Sequence, residues 1–341
     1  MKPSDLFVFG YFGYVSNQLD GQTVKTRMIH RLLEENTGKK ISYYDTELLK
    51  KNKLSLMVSL FRIIRAKHII YLPAQNNLRN FFPILYFLSR IFNFKIHYFV
   101  VGGWLFDFVK QNNNIREKLK NIFQIYVETN QLIDLLVINY GFKNIIWFPN
   151  FRKDYQLEKK NNFNEKLRLI YLSRITIEKG IDTIFNFLDS LKRSNVYERV
   201  MMDFYGPVDN SNYDWFFNNL KKHPNCYYRG LLQPSEIQHK LCDYDLMIFP
   251  TRYPGEGCPG VIVEAYMASL PVIASDWKYN HEFVIDGKTG YLIKPLDNDA
   301  IKEIVVKLIQ DRSLLQELSV NARSFSQKFT SDNAWKLIEL K

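Results

Sequence analysis

Short apolar runs rich in β-branched and aromatic residues alternate along this chain with segments whose apolar positions recur every three to four residues. A strand is expected over 6–9, followed by a loop rich in Gly and Asn through Gly21. A helix is expected over 23–33, where Val24, Met28, Leu32 and Leu33 fall at helical spacing. Strand-like runs recur at 69–72, 96–101, 124–127 and 145–148. After Phe148-Pro149-Asn150, the polar and charged stretch 152–166 reads as an interdomain linker. The alternation then restarts, with strands at 167–172, 200–205, 246–249 and 271–274 and helices at 180–191 and 261–268. Such alternation implies parallel sheets with crossover helices. The expected architecture is therefore α/β, two Rossmann-like doubly wound parallel-sheet domains facing a central cleft.

The length of 341 residues suits two domains, and a hydrophobic fraction of 46% excludes a disordered chain. Charge is unevenly spread. Residues 1–150 carry 20 Lys+Arg against 10 Asp+Glu, whereas 151–341 carry 26 against 25. The excess positive charge thus sits in the first half and implies an anionic partner such as nucleic acid, a membrane surface or a phosphorylated substrate. Cys226, Cys242 and Cys258 form no CxxC pair and have no His cluster beside them at ligand spacing. Neither a disulfide framework nor a zinc site is expected, and the expected compartment is the cytoplasm. The N-terminus lacks a cleavable signal pattern, and no apolar run reaches the ~18 residues of a membrane span.

Two stretches carry chemistry. In 249–275, a buried strand, a Gly/Pro-rich loop, a helix and a second buried strand follow one another, with Glu256 in the loop and Glu264 inside the helix. Pro259 falls where a helix would begin, so the N–H groups of Gly260 and Val261 would be open to an anion. The two acids are suited to holding a diol and a neighbouring group; taken alone they also fit a surface loop and a helix acid. In 171–180, Arg174 and Lys179 lie on a loop after a strand, with Gly180 opening the next helix. Two fixed cations there suit a diphosphate, although Arg and Lys on a loop are commonly just solvated.

The order Arg174-x4-Lys179-Gly180, Arg229-Gly230-Leu231, Glu256-Gly-x-Pro-x4-Glu264-Ala and Pro271-Val-Ile-Ala-Ser275 resembles the donor half of family 4 glycosyltransferases, the glycosyl transferases group 1. The resemblance covers about 165–295 closely; over 1–150 it rests on fold-level features and Pro149-Asn150. It implies the GT-B fold, with an acceptor-binding domain over 1–152, a nucleotide-sugar domain over 153–325 and a C-terminal helix over 326–341 packing back towards the first. It implies a retaining transferase of the surface-polysaccharide type, moving a sugar from a UDP- or GDP-sugar to a glycan or lipid-linked glycan, with no bound metal or other cofactor. Glu256, Arg174 and Lys179 match the catalytic set. Glu264 matches the acid on the ribose hydroxyls, and Gly257, Cys258, Pro259, Gly260 and Val261 match the loop around donor sugar and phosphates. Gly206 and Leu231 match loops near base and ribose, and Gly21 matches a glycine of the first loop. Two alternatives remain: a non-catalytic nucleotide- or glycan-binding partner, and a nucleotide-sugar hydrolase or epimerase on the same fold.

Some positions depart from the family pattern. His97 starts rather than ends its strand, so a structural role is expected, with Gly102 and Gly103 at the strand's end. Asp20 would either bind an acceptor hydroxyl or cap the following helix. Asp243-Tyr-Asp245 fits a metal-binding pattern of another transferase class but precedes a strand, where a structural Asp is expected. Segments 50–67 and 78–95 mix apolar residues with cations. They read either as core-facing helices with a basic rim or as attachment to an anionic membrane, which places the protein at the inner membrane face. Nucleic acid is not expected, because no recognition-helix or RNA-binding motif accompanies the cations.

Overall fold

The computed structural model describes residues 5–18, 20–50, 54–159 and 166–340. The chain divides into two compact units, Met1–Asn150 with Ser331–Lys341, and Phe151–Thr330. These limits lie a few residues from the sequence-based ones, 152 and 325.

The first unit runs β1 (Leu6–Gly10), α1 (Gly21–Thr37), β2 (Ser42–Asp45), α2 (Leu54–Ile63), β3 (His68–Leu72), α3 (Gln75–Asn80), α4 (Phe82–Phe92), β4 (Lys95–Phe99), α5 (Leu105–Gln111), α6 (Asn113–Leu119), β5 (Gln124–Val127), α7 (Asn130–Tyr140) and β6 (Ile145–Trp147). Its sheet is wholly parallel, in the order β2-β1-β3-β4-β5-β6. Every residue of β1 and β3 is buried, as expected of parallel strands covered on both faces by helices.

The second unit holds β7 (Leu167–Leu172), α8 (Ile181–Lys192), β8 (Val200–Tyr205), α9 (Tyr213–Leu220), β9 (Cys226–Tyr228), α10 (Ile237–Leu241), β10 (Leu246–Phe249), α11 (Gly260–Met267), β11 (Val272–Ser275), β12 (Gly290–Ile293), α12 (Asn298–Gln310) and α13 (Arg312–Ser326). Its parallel order is β12-β11-β10-β7-β8-β9. Leu169, Tyr171, Met202, Phe204, Ile248 and Ile273 from the sheet meet Ile184, Leu188, Ile301 and Val305 from the helices in one core. A last helix, α14 (Ser331–Lys336), belongs to the first unit and packs on α1. Among the described residues no helix is long and apolar enough to cross a membrane.

One sequence expectation is corrected. The stretch from Arg152 is no free linker: residues 152–159 are strapped to the second unit. Asp154 takes two hydrogen bonds of 3.0 Å from Arg323, and Lys159 Nζ donates to Ser269 O and Ser319 Oγ. Residues 160–165 of that stretch lie outside the described residues.

Candidate active site

In an open parallel sheet, ligands meet the carboxyl ends of the strands where the strand order reverses. In the second sheet that point lies between β7 and β10, and the loops following these two strands carry Arg174, Lys179 and Glu256. The β7 loop folds into a short 3-10 turn, Ile177–Lys179, in which Thr176 Oγ1 accepts from Lys179 N at 3.3 Å. The turn fixes Lys179, which is 9% exposed; its Nζ lies 2.7 Å from Oε2 of Glu256. The same oxygen accepts from Thr251 Oγ1 at 2.8 Å. The Tyr253 ring lies under both cations, 4.5 Å from Lys179 Nζ and 5.6 Å from the Arg174 guanidinium. Arg174 itself is exposed. The two cations expected from sequence are therefore gathered at one aromatic ring, with Glu256 tied to one of them.

Residues Glu256, Gly257, Cys258 and Pro259 are buried and lead into α11. Pro259 is the N-cap residue, and no side chain caps the helix. Gly260 and Val261 thus open α11 with backbone N–H groups that have no intrahelical acceptor. Glu264, 7% exposed, lies one turn further in. Its Oε1 is 2.5 Å from Nε of Arg152, whose Nη1 also donates to Phe151 O at 2.9 Å. The guanidinium presses on the start of α11: a Cβ on Gly260 would stand 2.1 Å from Arg152 Nη2. Sequence reasoning missed Arg152, since nothing local marks it. Its partner is 112 residues away, and the backbone anchor that sets its position is Arg152 N to Phe329 O at 2.9 Å.

Gly206 follows β8 at φ 131°, and a Cβ there would stand 1.9 Å from Ser173 O, so only glycine brings the β8 loop against the β7 loop. Its N–H donates to Gly230 O at 2.9 Å, which joins the loop after β9 to the same edge. Asp203 holds this corner from beneath, bound by Tyr244 Oη at 2.7 Å and Arg229 Nε at 3.1 Å. Leu231 beside them is exposed. Asp203 and Tyr244 were not singled out from sequence, because a strand Asp and a pre-strand Tyr carry no motif of their own.

Gly21 lies in the other unit, opening α1 after the first sheet's own point of strand-order reversal, between β1 and β3. Beside it Asp20 forms a capping box with Thr23, which is the helix-capping alternative. His97 is wholly buried, its Nε2 2.9 Å from His68 Nδ1 and its Nδ1 3.1 Å from Tyr126 Oη. Burial above all, with His68 and Lys95 adding, pushes its imidazole down to about 3. Sequence gave no hint of Lys25, which lies inside the unit with Nζ 2.6 Å from Glu128 Oε1 and 3.1 Å from Val100 O. Glu128 Oε2 accepts from Gly102 N at 3.1 Å, so this ion pair holds the glycine turn after β4. Of the Asp-x-Asp pair, Asp243 is bound to Lys240 at 3.0 Å and Asp245 accepts from Arg168 N at 2.8 Å.

Comparison with known proteins gives the arrangement its relatives. The chain is 28% identical over 214 residues to the capsular polysaccharide biosynthesis glycosyltransferase CapM of Staphylococcus aureus, covering 60% of this chain and 54% of that protein. It is 26% identical over 230 residues to the poly(ribitol-phosphate) alpha-N-acetylglucosaminyltransferase of Staphylococcus aureus strain COL, covering 66% of this chain and 45% of that protein. The chain thus spans about half the length of these two relatives. Its fold is that of Anabaena Alr3699/HepE, solved in complex with UDP and glucose, at TM-score 0.74 over 97% of both chains and 14% identity. The family model of glycosyl transferases group 1 matches residues 153–325, the segment that holds Arg174, Lys179, Glu256 and Glu264, and the chain belongs to that family.

Proposed function

We propose that this chain is a hexosyltransferase that moves a sugar from a UDP- or GDP-sugar to a lipid-linked glycan in surface-polysaccharide assembly, retaining anomeric configuration. The observation that carries the reading is the gathering of Arg174, Lys179, Glu256 and Glu264 with the start of α11 on the carboxyl edge of one sheet. Family membership and the surface-polymer names of the relatives support it; retention and the absence of a metal requirement come from the resemblance to family 4 enzymes.

In this reading the diphosphate meets Arg174, Lys179 and the N–H groups of Gly260 and Val261, and Glu264 holds the ribose hydroxyls. The bond from anomeric carbon to diphosphate oxygen breaks, and its electron pair leaves with the diphosphate. The acceptor hydroxyl oxygen bonds to the same face of the anomeric carbon and passes its proton to a diphosphate oxygen. The protein's contribution is electrostatic: fixed cations and helix N–H groups face the charge that grows on the leaving group. Glu256, held by Lys179 and Thr251, contacts the sugar.

A thermal-shift series with UDP, GDP and their sugars tests the donor site. At a hundredfold excess over Kd a bound nucleotide raises stability by about 2.7 kcal/mol. A melting temperature unmoved by any nucleoside diphosphate overturns the reading. Release of nucleotide dependent on an added glycan acceptor separates transfer from hydrolysis.

A further inference from the structure

We propose that α2 and α4 of the first unit form a docking face for the surface of an anionic lipid bilayer, a property independent of the donor site. The crossovers from β2 to β3 and from β3 to β4 run in the same direction across the sheet. Right-handed connection therefore puts α2 and α4 on one face, opposite the face of α1 and α14. On α4, Phe82 and Leu85 are buried, yet Ile84, Phe87 and Ile91 form a second stripe that is 56–63% exposed, extended by Phe92. An eleven-residue helix with Arg90 as its one charge is apolar on both sides while one side is open. On α2, Met57 and Phe61, one turn apart, are likewise exposed. Exposed apolar residues gathered on one face of the sheet in this way mark an interaction face.

Charge selects the occupant. Between Glu47 and Asp107 the chain has nine Lys or Arg and no Asp or Glu. Arg62, Arg65, Lys67 and Arg90 are exposed, and the Arg65 guanidinium lies 3.8 Å from the centre of the Phe61 ring. Apolar side chains flanked by cations match a bilayer surface, where rings and aliphatic groups enter the acyl boundary and cations meet phosphate headgroups. A second copy seated by two-fold symmetry would instead bring these cations against one another.

The test is sedimentation of the full-length protein with phosphatidylcholine vesicles, with and without phosphatidylglycerol, at low and high salt. Binding is expected to need phosphatidylglycerol and to fall at high salt. Charge reversal by Arg62→Glu with Arg65→Glu should weaken binding at least about tenfold, given about fivefold per basic side chain. Phe87→Ser with Ile91→Ser should weaken it similarly. These surface changes leave folding intact, which an unchanged melting temperature and far-UV circular dichroism spectrum verify. Wild-type binding in both variants, or binding indifferent to phosphatidylglycerol, overturns the proposal. So does absence of vesicle binding with a dimer in light scattering that Phe87→Ser dissolves. Vesicle binding without any nucleotide response overturns the donor reading alone.

Discussion

Arg152 Nε stands 2.5 Å from Oε1 of Glu264, and both side chains are nearly buried, at 13% and 9% exposure. A side chain from the first residues of the second unit thus orients the acid assigned to the nucleotide. Arg152→Ala leaves Glu264 without its countercharge, and truncating one partner of such a pair costs up to about 3 kcal/mol. UDP affinity by calorimetry is expected to fall about tenfold. Gly260→Ala should do the same without removing Arg152, because its methyl occupies the guanidinium's place. Wild-type affinity in both variants would disconnect Arg152 from the site.

Lys179 and Glu256 share one hydrogen bond, so their effects on catalysis should not add. Lys179→Met and Glu256→Gln are each expected to lower kcat by about a hundredfold or more, the range for removing one preorganised charge-stabilising group. The double variant should be little worse than either single one. Steady-state kinetics of all three, read as a cycle, decides the coupling; additive losses would mean the two act separately.

The pair Lys25–Glu128 is more deeply buried, at 2% exposure for each side chain. Lys25→Met strands a buried carboxylate and should destabilise the protein by about 3–5 kcal/mol in denaturant titration. Lys25→Met with Glu128→Leu should recover much of that loss, since an apolar pair removes the desolvation cost. Yet the double variant also loses the bond to Gly102 N, so the turn after β4 should become more open to hydrogen exchange.

Acid should loosen the first unit through His97. The folded imidazole sits near 3, depressed chiefly by burial, whereas the unfolded chain titrates near 6.5. Below about pH 6.5 the unfolded state binds a proton that the folded state refuses. The stability is complete above that pH and declines as pH falls towards 3, by up to about 1.4 kcal/mol per unit. His68, also lowered by burial, works in the same direction. His97→Gln should flatten the fall in melting temperature between about pH 6.5 and 4.5; an unchanged slope would assign it to other groups.

The buried strands were readable from sequence because each is dominated by apolar residues; β5, β7, β8 and β10, each with at most one polar or charged position such as Arg168 in β7 or Asp203 in β8, fall where the pattern puts them. The strands it missed, β2, β9 and β12, are all sheet edges. Ser42-Tyr-Tyr-Asp45 and Cys226-Tyr-Tyr228 bury only part of their surface, so no apolar run announces them. The site divides in the same way. Arg174, Lys179, Glu256 and Glu264 lie in two short stretches whose spacing is a sequence property. Arg152, Lys25 and Asp203 act through partners 112, 103 and 26 residues away, a relationship that only folding creates.

The return of α14 to α1 makes the second unit an insertion within the first as the chain is synthesised. Residues 1–150 can collapse as soon as they emerge, but the surface of α1 that receives α14 stays bare until 151–330 have followed. At about 5–20 residues per second that wait is on the order of 10–40 s. Over that interval the half of the chain with the larger positive charge is present without its last helix. A chain stopped before Ser331 would remain in that state permanently.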